Sequence, residues 1–94
     1  MSVSVKTANG IFKADDSPYK ATALKAYKEM KLKYRDYYDI AREVRHALRD
    51  RHLEYDWYSL CTKEYGHSSL ERSSILKLKR DDDDNYLIIV AVHD

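Results

Sequence analysis

At 94 residues, with 44% hydrophobic and 35% charged side chains but only two Gly and one Pro, the chain has material for one modest core. Residues 1–94 are therefore expected to fold as a single domain, and the composition excludes a disordered protein. The single cysteine, Cys61, excludes an intrachain disulfide and the longest apolar run, Leu87 to Val92, is too short to span a bilayer, so a cytoplasmic protein with no membrane partner is expected.

Val3 and Val5 alternate with polar residues, Asn9-Gly10 is the pair that suits a two-residue hairpin turn, and Ile11-Phe12 begin a return, which predicts an N-terminal β-hairpin. Asp15-Asp16-Ser17-Pro18 then predicts a helix start near Pro18, with Asp16 or Ser17 as the cap. No Gly or Pro follows until Gly66, and Ala23, Tyr27, Met30, Tyr34, Tyr37, Ala41, Val44 and Leu48 recur at alternating spacings of four and three, a heptad-like apolar seam. One helix from 18 to 51 would be about 50 Å long, about four times the roughly 12 Å radius of gyration expected for so small a domain. Either it breaks between Lys33 and Asp39, where tyrosines lower helix propensity and Asp36 can cap a second helix, or it pairs with another copy of the chain as a homodimer through the central helix.

Beyond this region Asp56 can cap a short helix from Trp57 to Tyr65 that Gly66 would end, and Ser68 with Glu71 matches a capping box for one further helical turn. Ile75 to Lys79 alternates, Asp81 to Asn85 makes a polar turn, and Tyr86 to Val92 is continuously apolar, which predicts a C-terminal β-hairpin with a buried last strand. The expected fold is α+β: an N-terminal β-hairpin, a long central region of one or two helices plus a short helix, and a C-terminal β-hairpin, with helices packed on a small antiparallel sheet.

The net charge of +1 conceals an uneven distribution. Between Lys20 and His52 stand ten Lys/Arg and five acids, a net +5 that leaves −4 for the remainder. One residue past the seam positions from Tyr27 to Leu48 lie Lys28, Lys31, Arg35, Tyr38, Arg42, Arg45 and Arg49, and His52 continues the spacing, so that on one continuous helix they form a cationic stripe beside the core. Such a stripe can dock on an acidic protein surface or follow a phosphate backbone. The plainer reading is a solvated face matched by Glu29, Asp36, Glu43 and Asp50 one position further round. Tyr38, Tyr55 and Tyr58 are the tyrosines expected at an exposed contact, because tyrosine joins an apolar body to a polar tip.

Other motifs carry competing chemistry. A winged-helix arrangement fits the element order after Trp57, but its wing tip would be Asp81-Asp82-Asp83-Asp84, four carboxylates that repel phosphate. That aspartate run lacks the alternating ligands, central Gly and terminal Glu of a Ca²⁺ loop, so no metal and no cofactor is expected, and a solvated turn or an acidic contact remains. Cys61 and His67 have no oxyanion site or orienting acid placed with them, so Cys61 is expected to be a small packed residue. Arg45-His46 with His52 resembles the Arg-x4-6-His motif of HEPN ribonucleases; the resemblance implies an Arg and a His on one helix acting on an RNA 2′-hydroxyl and phosphate, but it covers eight residues and that fold is all-helical.

The expected function is that of a small non-enzymatic regulatory or inhibitory protein acting by stoichiometric protein-protein contact, with no catalytic residue. By analogy with small proteins of phages and mobile elements, its target class is host nucleic-acid-handling machinery. Direct nucleic-acid binding through the stripe is the alternative, and a HEPN-like or toxin-type ribonuclease the third reading.

Overall fold

The computed structural model describes residues 3–63, 73–80 and 84–92. Its elements in chain order are β1 (Val3–Ala8), a 3₁₀ turn (Gly10–Phe12), α1 (Pro18–Lys33), α2 (Tyr37–Arg51), β2 (Asp56–Thr62), β3 (Ser73–Arg80) and β4 (Tyr86–Val92). The four strands form one antiparallel sheet in the order β1-β3-β4-β2, and the helix pair packs on one face of it. The fold is α+β, as the sequence pattern requires.

The central region breaks where the sequence weakens it. Ser17 caps α1 by accepting from the Lys20 amide at 3.2 Å, while its own hydroxyl donates to the Ile11 carbonyl at 2.6 Å and ties the helix start to the 3₁₀ turn. At Tyr34 the backbone turns extended, and Asp36 restarts the helix by accepting from the Tyr38 amide at 2.9 Å. Two helices of 16 and 15 residues then fold back on each other, and the radius of gyration is 12.2 Å. Asp36→Ala should cost about 1 kcal/mol by leaving a first-turn amide of α2 unsatisfied. Equilibrium urea unfolding reads this as a lower midpoint with an unchanged slope.

The apolar seam is spent inside this fold. Ala23, Tyr27, Tyr37, Ala41, Val44 and Leu48 are buried against Leu76, Leu78, Leu87, Ile89 and Ala91 of the sheet, with Met30 and Tyr34 half-buried at the rim. Each fully buried leucine or isoleucine here contributes about 1.5–3 kcal/mol. Because the seam faces the chain's own sheet, it presents no long stripe with which a second copy could pair through the central helix.

Two local expectations need correction. There is no N-terminal hairpin: β1 pairs with β3 across the sheet, and Ile11 and Phe12 lie in the 3₁₀ turn. A type I′ turn needs positive φ at both central residues, but Asn9 is extended at φ −134° and only Gly10, at φ +53°, is left-handed. The Asn9 amide donates to the Ile75 carbonyl and its side-chain Oδ1 accepts from the Ile75 amide, so it bonds to β3 instead of closing a turn. This directs Phe12 into the core, where it is fully buried.

The second correction concerns the predicted helix from Trp57 to Tyr65. Asp56–Thr62 is a strand, paired residue for residue with β4 from Asp56↔Val92 to Thr62↔Tyr86. Trp57, Ser59 and Cys61 face the helices while Tyr58 and Leu60 point the other way, a period of two that aromatic and branched residues favour on a half-buried sheet. The winged-helix arrangement loses its first helix with this. The C-terminal hairpin of β3 and β4 forms as expected, with Leu87, Ile89 and Ala91 on the helix side and Ile88 on the other. The capping box at Ser68 and Glu71, the helix end at Gly66, and most of the aspartate tip, residues 81–83, lie outside the described residues.

On the face away from the helices, Lys77 extends across the sheet so that its Nζ lies 4.2 Å from the centroid of the Tyr86 ring. Burial, and secondarily the charge of Lys6, hold its amine below the usual lysine range. No helix among the described residues is long and apolar enough to cross a membrane.

Candidate functional site

The predicted stripe does not persist as one surface. The start of α1 meets the end of α2: Thr22 Oγ1 lies 3.0 Å from His52 Nε2, and the Tyr19 ring packs on the His52 ring at 4.6 Å between centroids. The helices are therefore antiparallel, and their mutual crevice is lined by Thr22, Lys25, Ala26, Glu29, Ala47 and Arg51. On α1 the positions Lys28 and Lys31 lie across the buried Ala23–Tyr27 face from Lys25 and Glu29, so they turn away from α2. Lys28 and Arg35 are exposed and Lys31 is half-buried. The break thus sends the α1 half of the stripe to one flank of the helical layer and the α2 half to the other.

The α2 half acquires a second wall. Tyr38, Ala41, Arg42 and Arg45 line a groove of about 600 Å³ with Ser59, Leu60, Cys61 and Thr62 of β2. A second recess continues it, lined by Arg45 and Arg49 with Tyr55, Asp56, Trp57 and Tyr58. Tyr38, at 73% exposure, is a large apolar body left in solvent at its rim, while Tyr58 at 53% and Leu60 at 48% are exposed on the opposite face of β2. Arg45 belongs to both recesses; it is half-buried, and its Nε is sequestered from solvent without a hydrogen-bond partner among the described residues. Arg42 is shared between Asp39 at 3.3 Å and Glu43 at 3.7 Å, whereas Arg45 and Arg49 carry no ion pair among the described residues.

No family model, curated protein or solved structure matches the chain. What the groove does must be read from its own chemistry. A buried N–H without an acceptor is rare in folded proteins and costs free energy, so the Nε of Arg45 is a costly feature of this wall. A carboxylate entering the groove meets the Arg45 and Arg49 side chains that line it.

His52, the last member of the stripe, belongs elsewhere. With Tyr19, Tyr55 and Trp57 it forms an aromatic cluster that closes the helix layer onto β2, with ring centroids 4.6–6.3 Å apart. Tyr55, expected at an exposed contact, is half-buried in this cluster. Thr22, His52 and Glu54 stand in the order of a hydroxyl, imidazole and carboxylate triad, but the Thr22 hydroxyl proton goes to the Pro18 carbonyl at 2.9 Å. Thr22 then offers its oxygen as an acceptor, so the His52 nitrogen nearest it donates and is not placed as a base toward it. The Glu54 carboxylate stands 3.9 Å from Nδ1, beyond hydrogen-bond reach. The same hydrogen bond and the Tyr19 contact occupy the His52 ring that the HEPN-like motif would use.

Tyr19 donates to Glu54 Oε1 at 2.7 Å, and this hydrogen bond, together with burial and the Glu54 charge, pushes its phenol up to about 12. Glu54 is held below the usual carboxylate range by the same bond. The folded state thus holds the Tyr19 proton more tightly than the unfolded chain, so this contribution to stability is complete below pH 10 and is lost as pH rises from 10 to about 12. Site-resolved NMR should find Tyr19 titrating above the ordinary tyrosine range, and Glu54→Gln should move it earlier.

Sequence reasoning placed Tyr38, Arg42, Arg45 and Arg49 together correctly and missed their second wall. The alternation of Trp57, Ser59 and Cys61 with Tyr58, Leu60 and Thr62 was the signal that could have found it.

Proposed function

We propose that this chain is a non-enzymatic regulatory or inhibitory protein that acts by stoichiometric contact, gripping an acidic protein surface in the groove between α2 and β2. The observation that carries the reading is Arg45: a half-buried guanidinium whose Nε has no hydrogen-bond partner among the described residues, set between two recesses with exposed Tyr38 on the rim. Arginine and tyrosine in partly desolvated pockets are the residue types that dominate binding energy at protein interfaces.

The charge balance favours protein over nucleic acid. Of the three arginines lining the groove, Arg42 is matched by Asp39 and Glu43, and Arg45 and Arg49 stand with one lining acid, Asp56, so the groove keeps only a small positive charge. Binding along a phosphate backbone draws its affinity from several uncompensated cations. Two free guanidiniums suit a short acidic protein segment better.

The test uses the tagged full chain as bait in extract from its source cells, with intact complexes weighed by native mass spectrometry. A partner recovered at 1:1 by the native chain and lost with Arg45→Glu/Arg49→Glu supports the reading. Recovery of no stable partner counts against it. Binding to generic duplex DNA or RNA whose log affinity falls steeply with log salt, and which the same substitutions remove, would replace it with nucleic-acid binding.

A further inference from the structure

We propose that the outer edge of β2 receives an extended acidic segment of the partner as a fifth strand of the sheet, clamped by Arg45 and Arg49. This rests on the reading of the groove as the contact surface, and adds how the partner is held.

The sheet has two edges, β1 and β2, and they are built differently. Proteins blunt exposed edges with bulges, lysines and prolines, because a straight edge strand offers a row of unpaired N–H and C=O groups to any other chain. β1 carries such protection: its register slips between Val5 and Thr7, and an exposed lysine, Lys6, sits at the slip. β2 carries none. It runs seven residues in unbroken register with β4, holds no Lys, Arg or Pro, and has its only charge, Asp56, at its first position. Among the described residues no strand pairs with the other side of Asp56–Leu60, the stretch that Arg45 and Arg49 flank. An edge left straight while its counterpart is blunted is an edge kept available for pairing.

The flanking side chains define what it would pair with. A strand laid along β2 would present alternate side chains to the two sheet faces. Those on the helix side would meet Arg45 and Arg49, which lie on α2 beside β2; those on the other side would run beside exposed Tyr58 and Leu60. Four helical residues separate the two arginines by about 6 Å along the axis, and alternate residues of a strand are about 6.7 Å apart. Acidic side chains at every second position therefore match the two guanidiniums in spacing as well as sign. The matching segment alternates acidic with apolar residues.

A second copy of this chain is the poorer occupant. Two β2 edges paired about a two-fold axis would bring Arg42, Arg45 and Arg49 of one copy toward the same residues of the other. Like charges placed together across a strand pair are destabilising.

The test uses the isotope-labelled full chain and a capped nine-residue peptide alternating glutamate with valine. Two N-methylated versions each block one hydrogen-bonding edge of the peptide, and a lysine-for-glutamate version reverses its charge. The expected result is shifted amide resonances and slowed hydrogen exchange in Asp56–Leu60. Affinity should fall at least tenfold with one or other N-methylated peptide, with the lysine peptide, and with Arg45→Glu. Unchanged exchange in β2 at millimolar peptide overturns the proposal. So does equal binding by both N-methylated peptides with shifts confined to α2, and that outcome leaves the groove standing as a side-chain contact surface. A doubled molar mass with β2 already protected in the free protein also overturns it, in favour of self-pairing. The groove reading itself fails separately, if the captured partner is retained by Arg45→Glu/Arg49→Glu.

Discussion

Replacing Trp57 with alanine is expected to lower stability by about 3–5 kcal/mol, a third or more of what a domain of this size holds. The indole is 4% exposed and joins three parts of the fold. It packs edge-to-face with Phe12 of the 3₁₀ turn at 6.1 Å between centroids and with Tyr55 at 5.9 Å, lies tilted against Tyr19 of α1 at 6.1 Å, and its Nε1 donates to the carbonyl of His52, the cap residue of α2, at 2.7 Å. Truncation leaves a cavity among buried rings and removes the donor that closes the end of α2. Trp57→Phe keeps most of the ring volume and loses the hydrogen bond, so its cost should be nearer 1–2 kcal/mol. Urea unfolding followed by far-ultraviolet circular dichroism distinguishes the two, since the native fluorophore is the residue removed. Near-equal costs would mean that the hydrogen bond, not the packing, holds α2 to β2.

Gly10→Ala is the second large effect expected, at about 2–6 kcal/mol. Two costs add: a left-handed φ of +53° strains an L residue by about 1–3 kcal/mol, and overpacking a tight site costs about 1–3 kcal/mol more. A Cβ on Gly10 would overlap Ser74 Oγ and come within 2.9 Å of Ser74 Cβ. Ser74 cannot move aside, because it is buried and its Oγ accepts from the Ile11 amide at 3.0 Å. The double variant Gly10→Ala/Ser74→Ala removes the overlapping oxygen and keeps the strain. The two substitutions should therefore couple by at least about 1 kcal/mol in a double-mutant cycle. Strict additivity would show that φ alone makes Gly10 necessary.

These two sites mark how far the sequence could be read. The heptad-like seam, the caps at Ser17 and Asp36 and the break after Lys33 were legible, because each is local chemistry: an apolar period of 3.6 or an oxygen that meets free amides. The C-terminal hairpin was legible from its change to a period of two. Asn9-Gly10 misled because its partners, Ser74 and Ile75, are more than sixty residues away. Trp57 to Thr62 misled because Trp57, Leu60 and Cys61 also fit a helical spacing over so short a run, and only pairing with β4 decides between them. Of the cationic stripe, Lys28, Lys31, Tyr38, Arg42, Arg45 and Arg49 lie on helices, Arg35 falls in the break and His52 caps α2, and the eight do not form one surface. Once Asp36 restarts the helix, the fold-back carries Lys28 and Lys31 to one flank and Arg42, Arg45 and Arg49 to the other.

That division supplies the most direct test of the account, whose central claim is that the flank of α2 facing β2 is the contact surface and the flank of α1 is solvated. Partner capture should be measured for two variants of equal charge change, Arg45→Glu/Arg49→Glu and Lys28→Glu/Lys31→Glu, after circular dichroism and thermal unfolding establish that both fold. The account predicts at least a hundredfold loss of affinity, about 2.7 kcal/mol, for the α2 pair and less than a twofold change for the α1 pair. Equal losses from both would mean that overall charge governs association, and a loss from the α1 pair alone would contradict the assignment of the groove.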